Sequence, residues 1–312
     1  MKVLLVGSGQ MAYEYWRVLD ALGCQVIVAG RGLNSAKLFH EKTGVMPLLK
    51  PLSEIINSEA VNFGIVATSV ENLASVCIEL LQLKVKNILL EKPGALYKKD
   101  LNDIQSLSNQ CNANVLIAYN RRFYDSVLQA KEIIRQDGGI LSAIFDFTEW
   151  SHQIVDLPIG DEVKQRWFLA NSSHIVDLVW HLIGSPKELV SSVSGSLPWH
   201  ESGSIFVGSG ISELDIPFSY HANWNGPGRW SCELITIKHK LIFRPLEVLS
   251  VMDLGAVSIY DLPNYSIDYH EFKPGLGMQV AKFINLDLSG MCTINDQLDQ
   301  YPSFSSIANY VS

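Results

Sequence analysis

The sequence predicts an α/β protein in two parts: a doubly wound parallel sheet, then an α+β domain with a mostly antiparallel open sheet. Up to about residue 120, short apolar runs alternate with helical segments, and strands that alternate with helices form parallel sheets. After residue 121, several strand-like runs follow one another without helices between them, which favours antiparallel pairing. We place the domains at residues 1–120 and 121–312, with the last helix as a candidate to pack back on the first domain.

Composition restricts the class of protein and its partners. The chain has 312 residues, 47% hydrophobic and 18% charged, which is enough for two globular cores. Its net charge of −8 argues against nucleic acid and anionic membranes as partners. No apolar run approaches the roughly 18 residues of a membrane-spanning helix. The five cysteines are scattered without a C-x-x-C motif, as in a cytoplasmic protein with reduced thiols.

Local signals define the elements of the first part. Val3 to Val6 is an apolar run typical of a buried strand, and Asn34-Ser35 is expected to cap a helix. Pro51 suits the start of a short helix. We predict strands at residues 3–6, 25–29, 62–67, 87–90 and 114–118, and helices at residues 13–22, 35–42, 51–57, 70–83 and 98–110.

The second part opens with a long predicted helix at residues 121–135, which ends at Gly138-Gly139. The turn at residues 225–228, with sequence Asn-Gly-Pro-Gly, separates two of the strand-like runs that follow. We predict strands at residues 140–150, 188–197, 204–207, 211–224, 230–238, 240–243 and 247–252, and further helices at residues 172–183, 277–288 and 295–310.

The first strand runs into a G-x-G-x-x-A turn, which carries the clearest chemical signal in the chain. Gly7 permits a sharp turn, Gly9 lets the backbone approach a pyrophosphate, and Ala12 allows close packing of helix on strand. The following helix offers backbone N–H groups and a positive dipole to phosphates. A glycine-rich turn without a ligand is the alternative. The expected dinucleotide contacts here are Gly7, Ser8, Gly9, Gln10 and Met11.

Arg31 follows the second strand, where an acidic residue would bind the ribose 2′-hydroxyl of NAD. No acid is present there, and an arginine with a nearby hydroxyl at Ser35 suits the 2′-phosphate of NADP. NADP is therefore expected to bind in preference to NAD. In the alternative, Arg31 stacks on the adenine or is only solvated.

Glu91-Lys92-Pro93 ends a predicted strand on the edge of the sheet where ligands bind. A lysine there can hydrogen-bond a reacting oxygen, and its pKa falls readily on burial. A cis peptide at Pro93 would fix the turn, although such a tripeptide is also common in surface loops. Because each follows a strand at this edge, Thr68, Glu91 and Lys92 are expected cofactor contacts.

His174, Asp177 and His181 share one face of a predicted helix, since their spacings are three and four residues. One interpretation is a general acid/base pair with Asp177 beside it. A second is a metal site, because two histidines and a carboxylate are possible ligands. The third is ordinary helix-surface polarity or hydrogen-bonded core histidines, so the spacing alone leaves three alternatives open.

Two further groups are candidate substrate contacts. Tyr119-Asn120-Arg121-Arg122 lies at the domain junction, where a salt-bridged hinge is the alternative role. Trp224 in the second sheet either packs in the core or stacks on a sugar ring. With His174, the candidate substrate contacts are Tyr119, Arg121, Arg122, His174 and Trp224.

In combination, the G-x-G-x-x-A turn, Glu91-Lys92-Pro93, residues 119–122 and the helix with Asp177 and His181 resemble the Gfo/Idh/MocA oxidoreductases, which include glucose–fructose oxidoreductase and inositol dehydrogenase. The resemblance implies a Rossmann domain that binds NAD or NADP, and oxidation or reduction of a carbinol on a sugar, sugar nucleotide or polyol. It implies catalytic roles for Lys92, Asp177 and His181, no metal, and a homodimer or homotetramer. The family's glycine run before the helix is Asn171-Ser172-Ser173 here.

Two other functions remain open on the sequence. A non-catalytic dinucleotide-binding sensor or scaffold would keep the same first domain. A glycosidase that uses NAD transiently, as some relatives of the family do, would hold its cofactor without consuming it.

Overall fold

The computed structural model describes residues 1–263 and 271–310. Within these, the chain forms two compact units. Unit 1 contains residues 1–120 and 271–299, and unit 2 contains residues 121–263 and 300–310. Residues 271–299, which the sequence places in the second domain, cluster instead with unit 1. The final helix, Ile294–Ala308, begins in unit 1 and ends in unit 2.

Unit 1 is built on a six-stranded sheet of order β14-β5-β4-β3-β1-β2. Strands β1 to β5 pair in parallel, and β14 pairs antiparallel with β5 at one edge. The strands are β1 Lys2–Val6, β2 Gln25–Ala29, β3 Phe63–Val66, β4 Asn87–Leu90, β5 Asn114–Ile117 and β14 Cys292–Thr293. The helices are α1 Gln10–Ala21, α2 Leu33–Thr43, α3 Leu52–Ser58, α4 Leu73–Gln82, α5 Lys98–Cys111 and α10 Leu276–Ile284.

The parallel sheet forms because its strands are short apolar runs that helices cover on both faces. All four residues of β4 are buried, and β1 is buried from Val3 onward. Two details differ from the sequence-based expectation. The helix expected at 70–83 begins with a 3-10 turn, Val70–Asn72. Strand β14 was not predicted, since two residues carry too little periodicity to indicate a strand.

Unit 2 is built on an eight-stranded sheet of order β13-β12-β11-β10-β6-β9-β8-β7. All pairs are antiparallel except β6 with β9, so the predicted fold class is confirmed. The strands are β6 Ser142–Asp146, β7 Pro186–Ser194, β8 Ile205–Ser212, β9 Pro217–Asn223, β10 Ser231–Ile235, β11 His239–Phe243, β12 Ser250–Asp253 and β13 Tyr260–Asp261. Its helices are α6 Asp125–Asp137, α7 Ser151–Ile154, α8 Asp161–Gln165 and α9 Ser173–Ile183, followed at the chain's end by α11 Ile294–Ala308.

Several boundaries in unit 2 differ from the prediction. The runs at 204–207 and 211–224 are instead the hairpin of β8 and β9, with its turn between Ser212 and Pro217. The helix expected at 121–135 is a 3-10 turn, Asn120–Phe123, and then α6. A π-helical turn, Phe168–Ser172, precedes α9. Between the predicted strand at 140–150 and the predicted helix at 172–183, where no element is predicted, the chain forms α7 and α8.

An aromatic core lies between the sheet of unit 2 and its helices. Phe145 stacks on Tyr220 and meets Trp180 edge to face, with ring centroids 5.5 and 5.6 Å apart. Phe147 contacts Phe168 edge to face at 5.3 Å. Such contacts add to the free energy of burial. Within the described residues, no helix has the length and apolar content to cross a membrane.

Candidate cofactor and active site

The turn between β1 and α1 uses two glycines for different reasons. Gly7 has a φ of +133°, and a Cβ there would lie 2.3 Å from the carbonyl oxygen of Ala67. A side chain at Gly7 would therefore collide with the chain after β3. At Gly9 a Cβ would meet nothing within 4 Å, so its backbone is open to close approach from outside. Ala12 is fully buried, as close packing of α1 on the sheet requires.

The start of α1 is suited to an anion. Gly9 is its N-cap, no side chain caps it, and its first turn contains no acidic residue. The first N–H groups of a helix have no intrahelical acceptor, and the helix dipole is positive there. The side-chain amide of Gln10 donates to Glu14 at 2.6 Å and does not cap the helix. Gln10 and Met11, the first residues of α1, therefore present their backbone N–H groups to a ligand. These residues fit the pyrophosphate of a dinucleotide.

A cavity of about 210 Å³ opens beside this turn, where β1 and β2 end. Arg31 and Lys50, both exposed, contribute two positive charges to its lining. Thr68, which follows β3 and is one of the expected cofactor contacts, also lines it. The glycines and polar residues of the lining are Gly7, Gly30, Arg31, Lys50, Thr68, Ser75 and Glu79.

Ser8 and Ser35 come together at the same end of the sheet. Ser8 Oγ donates to Ser35 Oγ at 2.9 Å, and Ser35 Oγ donates to the Gly32 carbonyl at 3.0 Å. Ser35 lies in the first turn of α2, whose N-cap is Gly32 and has no side-chain cap. The expected cap by Asn34-Ser35 is therefore wrong. Ser35 instead ties α2 to the phosphate-binding turn.

The end of β4 holds the Glu91-Lys92-Pro93 segment in a defined conformation. Buried Tyr15 donates its hydroxyl to Glu91 Oε1 at 2.7 Å, and burial raises the pKa of that hydroxyl. The Lys92–Pro93 peptide bond is cis. The side chain of Gln297 donates to the Pro93 carbonyl at 3.0 Å. Lys92 itself lies at the carboxyl edge of the sheet and is partly buried.

In unit 2, Asp177 is held by a two-pronged ion pair. Arg122 Nε donates to Asp177 Oδ2 at 2.9 Å, and Arg122 Nη2 lies 2.5 Å from Asp177 Oδ1. Both side chains are buried, with 6% and 1% exposure. Such a fork–fork pair fixes the carboxylate's orientation. Arg122, a candidate substrate contact in the sequence, therefore has a positioning role toward Asp177.

His181 lies one turn beyond Asp177 on α9. Its Nε2 is 2.5 Å from Nζ of Lys131 on α6. Burial, followed by the charges of Arg122 and Lys131, lowers its pKa to about 2. The general acid/base interpretation of the sequence relies on an imidazole that titrates near neutral pH, whereas His181 is neutral in the folded protein at pH 7.

The remaining candidate substrate contacts fall into different environments. His174 is 6% exposed, and its ring centroid lies 6.3 Å from that of Trp230. Arg121 stands over the same Trp230 ring at 4.8 Å. Tyr119 is buried in unit 1 with 1% exposure. Trp224 is also 1% exposed and stacks on a second tryptophan in the aromatic core, which favours the packing role that the sequence also allowed.

The metal alternative for α9 has no geometric support. In the part of the chain that the structure describes, no three His, Cys, Asp or Glu side chains are grouped so that they could hold a metal ion.

Sequence reasoning missed four charged residues of these sites. Lys50 lies two residues after Leu48, whose backbone bridges to Ala29 of β2, and Lys131 reaches His181 from another helix. Glu149 and Arg229 form an ion pair at 3.1 Å across 80 positions of sequence. The pairs that Lys131, Glu149 and Arg229 make depend on tertiary contacts that local patterns do not indicate. The Arg229-Trp230 dipeptide after the glycine turn was the only visible signal.

A parallel sheet with a G-x-G-x-x-A turn, followed by an α+β unit with an open sheet, defines the class as two-domain nucleotide-binding α/β proteins. Residues 1–119 match the family model described as oxidoreductase family, NAD-binding Rossmann fold, of the Gfo/Idh/MocA group. The resemblance to the Gfo/Idh/MocA oxidoreductases found in the sequence is thus confirmed over the first domain. No curated protein matches the sequence.

Solved structures resemble the whole chain at low identity. A putative NADPH-dependent oxidoreductase from Desulfitobacterium hafniense is 14% identical with a TM-score of 0.80, over 99% of this chain and 95% of its own. A levoglucosan dehydrogenase in complex with NADH is 16% identical, with a TM-score of 0.79 over 99% and 96%. The UDP-N-acetylglucosamine 3-dehydrogenase of Acidithiobacillus ferrooxidans is 11% identical, with a TM-score of 0.76 over 100% and 97%. At these identities the likeness establishes the fold.

Proposed function

We propose that the protein is an NAD(P)-dependent oxidoreductase that transfers a hydride between nicotinamide and a carbinol or ketone of a sugar, sugar nucleotide or related polyol. The observation that carries this proposal is the phosphate-binding turn. Gly7 is required by the fold, whereas Gly9 leaves open space beside the uncapped start of α1. A structural turn would not need the second glycine. The named activities of the similar structures are consistent with a sugar-like substrate.

We also propose that NADP is preferred over NAD. Arg31 and Lys50 place two cations at the cavity beside the end of β2. The residues 30–35 that follow this strand contain no carboxylate, whereas NAD recognition uses an acid at this position. The acid that lines the cavity, Glu79, lies instead on α4. Two cations near a serine hydroxyl suit a 2′-phosphate.

For the chemical step, we propose Lys92 as the group that exchanges the substrate's hydroxyl proton. When bound, the nicotinamide accepts the hydride of the broken C–H bond, or donates it in the reverse direction. The O–H proton must then pass to a base. His181, whose pKa is about 2, is a poor base, which favours Lys92. His181 and Asp177, held by Lys131 and Arg122, are proposed to hydrogen-bond and orient the substrate.

The test begins with mass spectrometry of any cofactor and ligand that co-purify with the protein, together with a screen of levoglucosan, UDP-N-acetylglucosamine and common sugars for reduction of NADP⁺. Single-turnover hydride transfer is then measured with the substrate found. Lys92→Ala should lower the rate by about 10²–10⁴-fold, as loss of a general acid/base does, with NADPH affinity within a few-fold.

Lys98→Ala, which removes an exposed lysine at the start of α5, is the matched control and should keep the wild-type rate. His181→Gln, which retains hydrogen-bonding groups, should keep more activity than His181→Ala. A near-full rate in Lys92→Ala would reject the catalytic assignment and favour a non-catalytic dinucleotide-binding protein.

A further inference from the structure

Two arginines share one tryptophan ring in unit 2. The guanidinium carbons of Arg121 and Arg229 lie 4.8 and 4.7 Å from the centroid of Trp230. Arg229 also stands 4.8 Å from the centroid of Trp150. An aromatic face stabilises one cation, but two guanidinium groups around one ring repel each other. This arginine–tryptophan cluster, defined by Arg121, Arg229, Trp150 and Trp230, therefore needs negative charge.

The protein supplies that charge from one carboxylate. Glu149 has a side chain only 1% exposed, and its Oε2 pairs with Arg229 at 3.1 Å. Its other oxygen, Oε1, accepts from Asn171 at 2.9 Å and from Ser172 at 2.7 Å. Both carboxylate oxygens are thus engaged, and Glu149 is oriented toward one of the two arginines.

Arg121 is left without a compensating carboxylate. In the described parts of the chain, no acidic side chain lies within ion-pair distance of it, and its buried Nε has no hydrogen-bond acceptor. Buried donors in native proteins are almost always paired. Arg121, Arg229 and Glu149 together carry at least one net positive charge. A single anionic group would balance it.

The position of the cluster relates it to α9. Asn171 and Ser172, which hold Glu149, immediately precede that helix, and they stand where the resembling family has a glycine run. His174 follows, next to Trp230, and Asp177 lies one turn further. From Ser173 to Asp177 the helix rises about 6 Å, so the residues that hold Glu149 lie little more than one helical turn before Asp177.

We propose that the arginine–tryptophan cluster binds a carboxylate or phosphate group of the substrate, so that the preferred substrate is an anionic sugar. This inference rests on the proposed function and deepens it. Guanidinium forks match the planar oxygens of carboxylates and phosphates, and the exposed indole of Trp150 offers its face to the apolar side of the adjoining sugar. Glu149 keeps Arg229 in place as a positioning residue.

The test is calorimetric titration of the full chain, saturated with NADP⁺, at low ionic strength. The probes are glucuronate for a carboxylate, glucose 6-phosphate for a phosphate and glucose as the neutral reference. At least one anionic sugar should bind tenfold or more tightly than glucose, as expected of a charge-assisted hydrogen bond. The anionic sugar whose affinity exceeds that of glucose by the larger factor shows whether the cluster recognises a carboxylate or a phosphate.

Arg121→Gln and Arg229→Gln should each reduce this preference to within about threefold. Arg135→Gln is the matched control, because it removes an exposed arginine of α6 that pairs only with Glu132 among the described residues. Arg229→Lys keeps the charge and should retain part of the preference, which separates charge from fold. The melting temperatures of Arg121→Gln and Arg229→Lys should remain close to wild type.

Equal binding of glucose and both anions, failure of both anions to bind, or a preference that survives both glutamine substitutions would overturn the subsite. NADPH binding is measured on the same preparations. If the protein binds NADPH but does not prefer an anionic sugar, only the subsite is rejected. If it binds neither NADPH nor NADH, the proposed function is rejected.

Discussion

At the scale of single residues, Gly7 and Gly9 show how one turn combines a folding requirement with a binding requirement. Gly7 cannot carry a side chain without moving the chain at Ala67. Gly9 has an ordinary extended backbone, with φ −87° and ψ −170°, and its Cβ position meets no protein atom. The motif is therefore readable from sequence, but the division of its two roles depends on the fold around it.

Arg31 and Lys50 provide the residue-scale prediction of cofactor preference. A charge-assisted hydrogen bond contributes roughly 1.5–3 kcal/mol, so Arg31→Ala should weaken NADPH binding by about tenfold to a hundredfold and spare NADH. Lys50→Ala should act in the same direction with a smaller effect, because its flexible ammonium is a point charge. Fluorescence titration measures both affinities.

The control for these variants is Lys37→Ala, since Lys37 is an exposed lysine of α2 that does not line the cavity. It should bind both cofactors as the wild type does. Equal losses for NADPH and NADH in Arg31→Ala would contradict recognition of the 2′-phosphate.

Residue-level roles in the sequence were predictable only where the signal is local. Arg31 could be found because it follows a strand directly. The bidentate partner of Asp177 is Arg122, 55 positions away, and the lysine beside His181 is 50 positions away. Burial, together with the charges of these two partners, keeps neutral a histidine that the spacing on the helix offers as a general acid/base.

At the scale of elements, glycine explains the misread hairpin of β8 and β9. The sequence Gly208-Ser209-Gly210 indicates a break between strands, and it separates the predicted strands at 204–207 and 211–224. In the structure β8 continues through both glycines. A Cβ at Gly208 would lie 2.3 Å from the Tyr220 hydroxyl, and a Cβ at Gly210 would lie 2.0 Å from the Glu188 carbonyl oxygen. Close cross-strand packing requires these glycines, and a single sequence does not show it.

The parallel strands, by contrast, were predictable almost to the residue. Each is a short apolar run with turn residues on both sides, and β4 occupies the predicted residues. Strand β14 has two residues and pairs with β5 across more than 170 positions. Its existence depends on the return of the chain to unit 1, which no local pattern indicates.

Helix α9 gives an element-scale prediction about pH. The pKa of His181 falls from 6.5 to about 2 on folding, chiefly by burial, so the unfolded chain binds more protons below pH 6.5. Stability is therefore full above pH 6.5 and is lost as the pH falls toward 2. His200, with a pKa lowered to about 4, acts in the same direction. Each histidine should lower the free energy of unfolding by about 1.4 kcal/mol per pH unit between its unfolded and folded pKa.

Urea unfolding at pH 7.5 and 5.5 tests this prediction. Between the two pH values, the free energy of unfolding of His181→Gln should fall by about 1 kcal/mol less than that of the wild type, whatever its stability at pH 7.5. His152→Gln removes an exposed histidine of unit 2 and should retain the wild-type pH dependence. An unchanged pH dependence in His181→Gln would show that this imidazole is not held neutral.

At the scale of the whole molecule, we predict a homodimer or homotetramer formed through the open face of the sheet in unit 2. The register Ile144↔Ser219↔Ser209↔Val190 crosses four strands. Ile144 and Val190 are 50% and 73% exposed there, and Val207 on β8 is 40% exposed. Apolar side chains spread over a sheet face favour association.

Light scattering at micromolar concentration measures the mass directly. Two or four times 34.7 kDa is expected for the wild type. The double variant Ile144→Lys, Val190→Lys should shift it toward the monomer, because it places charges in the proposed interface. Lys187→Ala, at an exposed end of β7, should leave the mass unchanged. A wild-type mass near that of one chain would disprove the prediction.

The central claim, that the turn after β1 binds a nicotinamide dinucleotide, is tested most directly with Gly9→Val. Titration of the wild-type chain with NADPH and NADH should show saturable quenching by at least one of them. Gly9→Val should weaken that binding by more than about thirtyfold, a loss near 2 kcal/mol, with an unchanged melting temperature, because its Cβ meets no protein atom. Gly160→Val, at another glycine with no atom within 4 Å, should bind normally. Absence of binding by the wild type, or equal binding by Gly9→Val, would contradict the account.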